Sequence, residues 1–234
     1  MPSLSAQKLI RKLRQRKHRW QEQLFVAEGP KLVQDLLDSG LKAHSIWSTV
    51  DFPEAEFIEP DLLQKLSHLS SSNELIALFP FPVYKSQKLN RLLILDGIND
   101  PGNLGTLLRT ADWFGFEKVI CTNGTTDIYN AKAVQSTMGS LARLDIEYAS
   151  IDGILDQYPE HQFLVADMEG RPFHEMDASE IPALALVMGS ESHGPSEEWL
   201  KRAEKITIAK GSNSQIDSLN VGIAAGILMQ HFAS

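Results

Sequence analysis

A chain of 234 residues with 43% hydrophobic and 22% charged content is ordinary for a folded soluble protein of one large or two small domains. The single Cys121 excludes a disulfide framework within the chain, and no Cys/His cluster has zinc spacing, so no metal is expected. The start lacks the hydrophobic stretch of a signal peptide, which makes the cytoplasm the expected compartment, with no membrane attachment.

The net charge of -8 is unevenly spread. Residues 1–20 hold seven Lys/Arg (Lys8, Arg11, Lys12, Arg14, Arg16, Lys17 and Arg19) and no acid. Ala6, Leu9, Ile10 and Leu13 recur at helical spacing, predicting an amphipathic helix with a basic outer face suited to polyphosphate. From Leu24 to about Pro82 short strands (Phe25–Ala27, Ser45–Trp47, Leu75–Phe79) alternate with helices (Lys31–Asp38, Asp61–Leu69). Pro80, Pro82 and the polar run Tyr84-Lys85-Ser86-Gln87-Lys88 mark a linker, which divides the chain into domains 1–85 and 86–234.

The second domain opens with Leu92–Leu95, a continuous apolar strand of the kind a parallel sheet buries on both faces. Further strands are expected at Val119–Cys121, Gln162–Ala166, Leu184–Met188 and Lys205–Ile208. Helices fit Leu104–Phe114, Ala131–Met138, Ile151–Tyr158 and Ser196–Ala203. This alternation predicts an α/β open sheet whose ligand lies beyond the carboxyl ends of the strands.

Three stretches carry chemistry. Asp96 to Gly105 turns sharply into a helix, with Asn103 expected to cap it. On that helix Arg109 lies off the buried stripe of Leu104, Leu107, Leu108 and Ala111, a planar cation suited to phosphate or, more plainly, to a surface pair with Asp112. Gly189 to Glu198 contains Glu191, which helix-start chemistry does not explain, and His193, a solvated loop residue or a base. Asp217 to Phe232 reads as a helix capped by Asp217-Ser218 and apolar on nearly every face, so its own domain, a second subunit, or both must cover it. Gly222 and Gly226 leave a groove along it. Ser218 and Asn220 place polar groups where this buried helix begins.

In order and spacing, Asp100-Pro101-Gly102-Asn103-Leu104-Gly105 to Arg109-Thr110-Ala111, Met188-Gly189-Ser190-Glu191 to Gly194, and Ser218-Leu219-Asn220-Val221 resemble the three motifs of the SpoU (TrmH-like) RNA ribose 2′-O-methyltransferases of the SPOUT superfamily. Phe25-Val26-Ala27-Glu28-Gly29 is similar to the opening of the L30e-like RNA-binding domain found in rRNA-modifying members. The resemblance implies an open parallel sheet with a C-terminal trefoil knot, a small L30e-like domain before it, a homodimer, and S-adenosyl-L-methionine held in the knot without a metal. It assigns Asn103, Arg109, Glu191, Ser218 and Asn220 to the catalytic site, and Gly189, Ile208 and Leu219 to the backbone that holds the cofactor. The implied substrate is rRNA, with tRNA, or a non-catalytic RNA-binding module on the same fold, as alternatives; an unrelated α/β nucleotide enzyme is a further rival.

The chain departs from the family pattern at Ile208-Ala209-Lys210, at a long loop from Gly211 to Asp217, and at Gln135-Ser136-Thr137-Met138-Gly139. The family proposal makes the arginine a base. A guanidinium with a pKa above ~12 serves equally as a phosphate clamp, so both roles for Arg109 stand at this point.

Overall fold

The computed structural model describes residues 1–71, 74–84 and 89–233. Two compact units result: Met1–Val83 with Asp127–Arg143, and Tyr84–Thr126 with Leu144–Ser234. The boundary read near residue 85 falls in 85–88, outside the described residues.

In the first unit, α1 (Leu4–Lys12) and α2 (Arg16–Glu22) precede β1 (Leu24–Glu28), α3 (Pro30–Asp38), β2 (Ser45–Ser48), β3 (Glu56–Phe57), α4 (Pro60–Leu66) and β4 (Leu75–Pro80). The sheet order is β1-β4-β2-β3, with β4 antiparallel to both β1 and β2 and β3 parallel to β2. Along β4, Ile76 and Leu78 join the core that the α1 stripe of Ala6, Leu9, Ile10 and Leu13 covers, together with Leu63 and Leu66 of α4. Gly29 turns the chain from β1 into α3 at φ 93°, a conformation that favours glycine.

The single basic helix expected over the first 20 residues is two helices. Arg19 explains the break: its Nη1 donates to Leu13 O at 2.7 Å and Arg14 O at 2.9 Å, satisfying carbonyls at the end of α1. Its Nε and Nη2 both reach Asp127 Oδ2, and only 5% of the residue is exposed. One of the seven cations is therefore internal, whereas Lys8, Arg11, Lys12, Arg14, Arg16 and Lys17 are exposed.

In the second unit, β5 (Arg91–Asp96), α5 (Pro101–Trp113) and β6 (Lys118–Cys121) come first. The chain next contributes Asp127–Arg143, including α6 (Ala131–Thr137), to the first unit. It continues through β7 (Asp145–Tyr148), α7 (Ile151–Gln157), β8 (Gln162–Pro172), β9 (Leu184–Gly189), α8 (Glu197–Arg202), β10 (Glu204–Thr207) and α9 (Val221–Phe232). Among the described residues the strands pair in parallel throughout, in the order β10-β8-β9-β5-β6-β7. Leu92, Ile94, Val165, Ala185 and Val187 from the sheet pack with Ile154 of α7 and Trp199 of α8.

Against β8, β10 shifts register between Lys205 and Ile206. Here Gly170 meets the Lys205 carbonyl, to which a Cβ would approach within 2.6 Å. Cys121 is fully buried. No helix among the described residues is long and apolar enough to cross a membrane, and no cluster of His, Cys, Asp or Glu able to hold a metal occurs among them.

Candidate active site

The carboxyl ends of β9 and β10 and the middle of β8 open onto a cavity of about 570 Å3 in the second unit, within the range of small-molecule sites. Its walls come from Ala166–Met168, Met188–Pro195 and Ile206–Gly211, with Ser214, Ile216–Leu219 and the first turns of α9 closing it. Gly189, Ile208 and Leu219, the three expected cofactor residues, all line it, as do Glu191 and Ser218.

Gly189 has a steric reason to be glycine. A Cβ there would lie 2.0 Å from Pro195 N and 2.2 Å from Gly194 C, because the loop after β9 folds back on the strand end. That loop is closed by paired backbone bonds between Ser190 and Gly194, at 3.1 and 2.9 Å.

Three of the five proposed catalytic residues form one chain of hydrogen bonds. Asn220 caps α9, its Oδ1 accepting from Gly222 N at 2.9 Å and Ile223 N at 3.4 Å. Its Nδ2 donates to Asn103 Oδ1 at 3.2 Å, and Asn103 Nδ2 donates to Glu191 Oε1 at 2.5 Å. Two cap assignments change accordingly. The expected Asp217-Ser218 cap is replaced by Asn220, since residues 211–219 remain non-helical along the cavity. Helix α5 is capped by Asp100, which accepts from Asn103 N at 2.8 Å, so Asn103 lies inside the first turn with its side chain directed to Glu191.

The structure does not join Arg109 or Ser218 to this network. Arg109 is exposed on α5 and takes no hydrogen bond or ion pair among the described residues, so the surface pair with Asp112 does not form. His193 is exposed at the cavity wall.

Helix α9 packs on α5 and β9. A Cβ on Gly222 would sit 3.1 Å from Thr106 Cγ2 and one on Gly226 3.8 Å from Thr110 Cγ2, so threonine side chains of α5 fill the glycine groove. The helix is not covered all round within the chain. Ile223 is 57% and Ile227 36% exposed, beside Leu219 at 48%.

The cavity lining contains Asp167, Glu191 and Asp217 against one lysine, Lys210. An apolar slot with three carboxylates suits a ligand with a flat apolar portion and positive charge. The residues thus fit an adenosyl sulfonium cofactor. Sequence reasoning missed Asp167, which lies midway along β8, and also Asp96, the acid that ends β5; for Asp96 the position of an acid at a strand's carboxyl end was the available signal.

The family model for the SpoU rRNA Methylase family matches residues 90–230, and one for the MRM3-like substrate binding domain matches residues 6–77. The chain belongs to the SpoU rRNA methylase family. It is 28% identical over 233 residues to the 23S rRNA (guanosine(2553)-2′-O)-methyltransferase RlmP of Bacillus subtilis (strain 168), covering 94% of this chain and 93% of that protein. Among solved structures, a putative RNA methyltransferase of the TrmH family from Porphyromonas gingivalis superposes with a TM-score of 0.84 at 34% identity, covering 99% and 98% of the two chains. An AdoMet-bound rRNA methyltransferase from Sinorhizobium meliloti gives a TM-score of 0.84 at 27% identity, covering 99% and 96%.

Proposed function

We propose that this protein is an S-adenosylmethionine-dependent RNA methyltransferase that modifies a ribose 2′-hydroxyl of ribosomal RNA. The observation that carries the reading is the cavity at the ends of β9 and β10 with the Asn220–Asn103–Glu191 chain joined to its wall. The cofactor supplies an electrophilic methyl group on a positively charged sulfur. Gly189, Ile208 and Leu219 hold it through the backbone of the cavity loops, and the carboxylates of the lining favour its positive charge.

The acceptor hydroxyl must lose its proton as its oxygen attacks, and alignment supplies much of the rate. Arg109 holds the phosphate of the target nucleotide and stabilises the developing alkoxide. Its exposed planar fork on α5 favours the clamp. Ser218, at the cavity wall, orients the ribose. Asn103, Glu191 and Asn220 fix the shape of the pocket between α5, α9 and the loop after β9.

In this reading residues 86–234, apart from the Asp127–Arg143 segment that packs with the first unit, form the SPOUT methyltransferase domain, whose C-terminal segment makes a trefoil knot. The packing of α9 on α5 and β9 supports it, with residues 206–219 and 188–195 facing one cavity. Residues 1–85 form an L30e-like RNA-binding domain, a reading supported by the exposed cations of α1 and α2 and the match to a substrate-binding model. The exposed Ile223 and Ile227 are covered in a homodimer, and the enzyme works in the cytoplasm on rRNA. Incubation with methyl-labelled S-adenosylmethionine and rRNA from cells lacking 2′-O-methyl groups tests the activity: label enters the RNA, and its absence overturns the proposal.

A further inference from the structure

We propose that Asp96 is a positioning residue for the cofactor cavity, acting through the loop that follows β9. The identity of the ligand rests on the methyltransferase reading above; the geometry does not.

Asp96 ends β5 opposite Gly189 in the parallel register and is 7% exposed. Its two oxygens serve two different loops. Oδ1 accepts from Thr122 Oγ1 at 2.6 Å, just beyond β6, and Oδ2 accepts from Ser196 N at 2.7 Å. Ser196 is the residue before α8, where the loop from Ser190 returns to the fold. The base of that loop therefore has two anchors, the close packing of Gly189 against Pro195 and the Asp96 carboxylate. Residues Ser190–Pro195 between the anchors form one wall of the cavity and carry Glu191.

The connection from β5 to α5 is fixed in the same place. Thr125 Oγ1 donates to Leu95 O at 2.8 Å and accepts from Gly97 N at 3.1 Å. This connection leads to Asn103. Asp96–Ser196 and Asn103–Glu191 are thus two ties between the same pair of segments, one part-buried at the strand ends and one near solvent. Displacing the loop base would misplace Glu191 and the backbone after Gly189 together.

No cation pairs with Asp96 among the described residues, and burying a carboxylate without one is costly. What the site gains is two charge-assisted bonds with fixed directions. Asparagine is a mild change here, because its oxygen accepts from Ser196 N while the Thr122 hydroxyl turns to accept from the amide. Alanine removes both ties.

Hydrogen exchange across residues 189–196 and calorimetric binding of S-adenosylhomocysteine, at a temperature where circular dichroism shows each variant folded, test the proposal. Asp96→Ala should speed exchange in the loop and weaken binding at least about tenfold, whereas Asp96→Asn should stay within about threefold. If Asp96→Ala does not fold, Thr122→Val removes the donor at Oδ1, leaves the carboxylate anchored at one end only, and should move loop exchange and affinity in the same direction. A folded variant with a lower melting temperature but wild-type exchange and affinity would overturn the proposal, leaving Asp96 a structural residue only. Failure of the wild-type protein to bind S-adenosylhomocysteine would count against the methyltransferase reading instead, and the exchange comparison would then decide the role of Asp96.

Discussion

Asn103 donates to Glu191 at 2.5 Å with its amide orientation already decided elsewhere. Asn220 Oδ1 must face the N–H groups of Gly222 and Ile223, so its Nδ2 faces Asn103 and Asn103 in turn presents its own Nδ2 to the loop after β9. Only an acceptor fits at the far end. The helix start of α9 thereby dictates the chemistry required at position 191.

A reversal of that polarity follows. Asn103→Asp sets a second carboxylate against Glu191 and should reduce cofactor affinity about tenfold or more at pH 7. Adding Glu191→Gln returns a donor to the pair and should recover much of the loss. Titration calorimetry of the single and double variants checks this; equal affinity in the two would show that the network does not shape the pocket.

Asp127 should hold the first unit together. It lies 108 residues from Arg19 yet is 5% exposed, accepting from two of the three Arg19 guanidinium nitrogens and from the Trp20 indole N–H at 3.2 Å. Asp127→Ala leaves a buried guanidinium without its anion, and a loss of about 3–5 kcal/mol is expected. Chemical denaturation measures it, and a loss below about 1 kcal/mol would mean that Arg19 is satisfied by its carbonyl partners alone.

These long-range ties mark the limit of what the chain's order reveals. The apolar runs Leu92–Leu95 and Leu184–Met188 are legible because a strand buried on both faces has a one-dimensional signature. β7 is not, because Asp145 and Glu147 look like surface residues until Lys118 is seen 2.9 Å from each. Burial pulls the Lys118 ammonium down, but the hydrogen bonds and charges of Glu147 and Asp145 outweigh it and hold its pKa above the usual value. β3 is short and exposed, and gives no pattern to read. The placement of Asp127–Arg143 with the first unit likewise has no local cue. At the site, Asn103, Glu191 and Asn220 stand out through the resemblance to a family, whereas Asp96 reads as an ordinary turn acid until its two donors arrive from distant loops.

Acid should weaken the first unit through His68. Burial is the main cause that lowers its pKa to about 4, against a usual 6.5, and its Nε2–H donates to Ile10 O at 2.8 Å. The folded-state value is depressed, so the unfolded chain binds the proton first as pH falls through 6.5, and stability present above that pH is lost down to about 4. Between pH 7 and 4.5 the loss from this group is roughly 2 kcal/mol. Glu28, raised chiefly by burial, acts in the opposite sense, its ionisation costing stability as pH rises above the ordinary carboxylate value. Denaturation curves for His68→Gln should show a flatter decline over this window; an unchanged slope would assign the acid sensitivity to other groups.

The exposed Ile223 and Ile227 lie one turn apart on α9 and should be buried between two copies of the chain. Ile223→Glu should shift the sedimentation mass from that of a dimer to 26.1 kDa. A wild-type protein already sedimenting at the monomer mass would contradict the assignment.

The most direct test of the central claim is the chemical position of the transferred methyl group, read with the Arg109 variants. Labelled rRNA produced by the wild-type enzyme should carry its methyl on a ribose 2′-oxygen, seen as an alkali-resistant dinucleotide. Arg109→Lys, which keeps the charge without the planar fork, should retain part of the rate with weaker RNA binding, and Arg109→Ala should lose nearly all of it with cofactor affinity intact. Methyl groups found on bases, or near wild-type turnover by Arg109→Ala, would contradict the account.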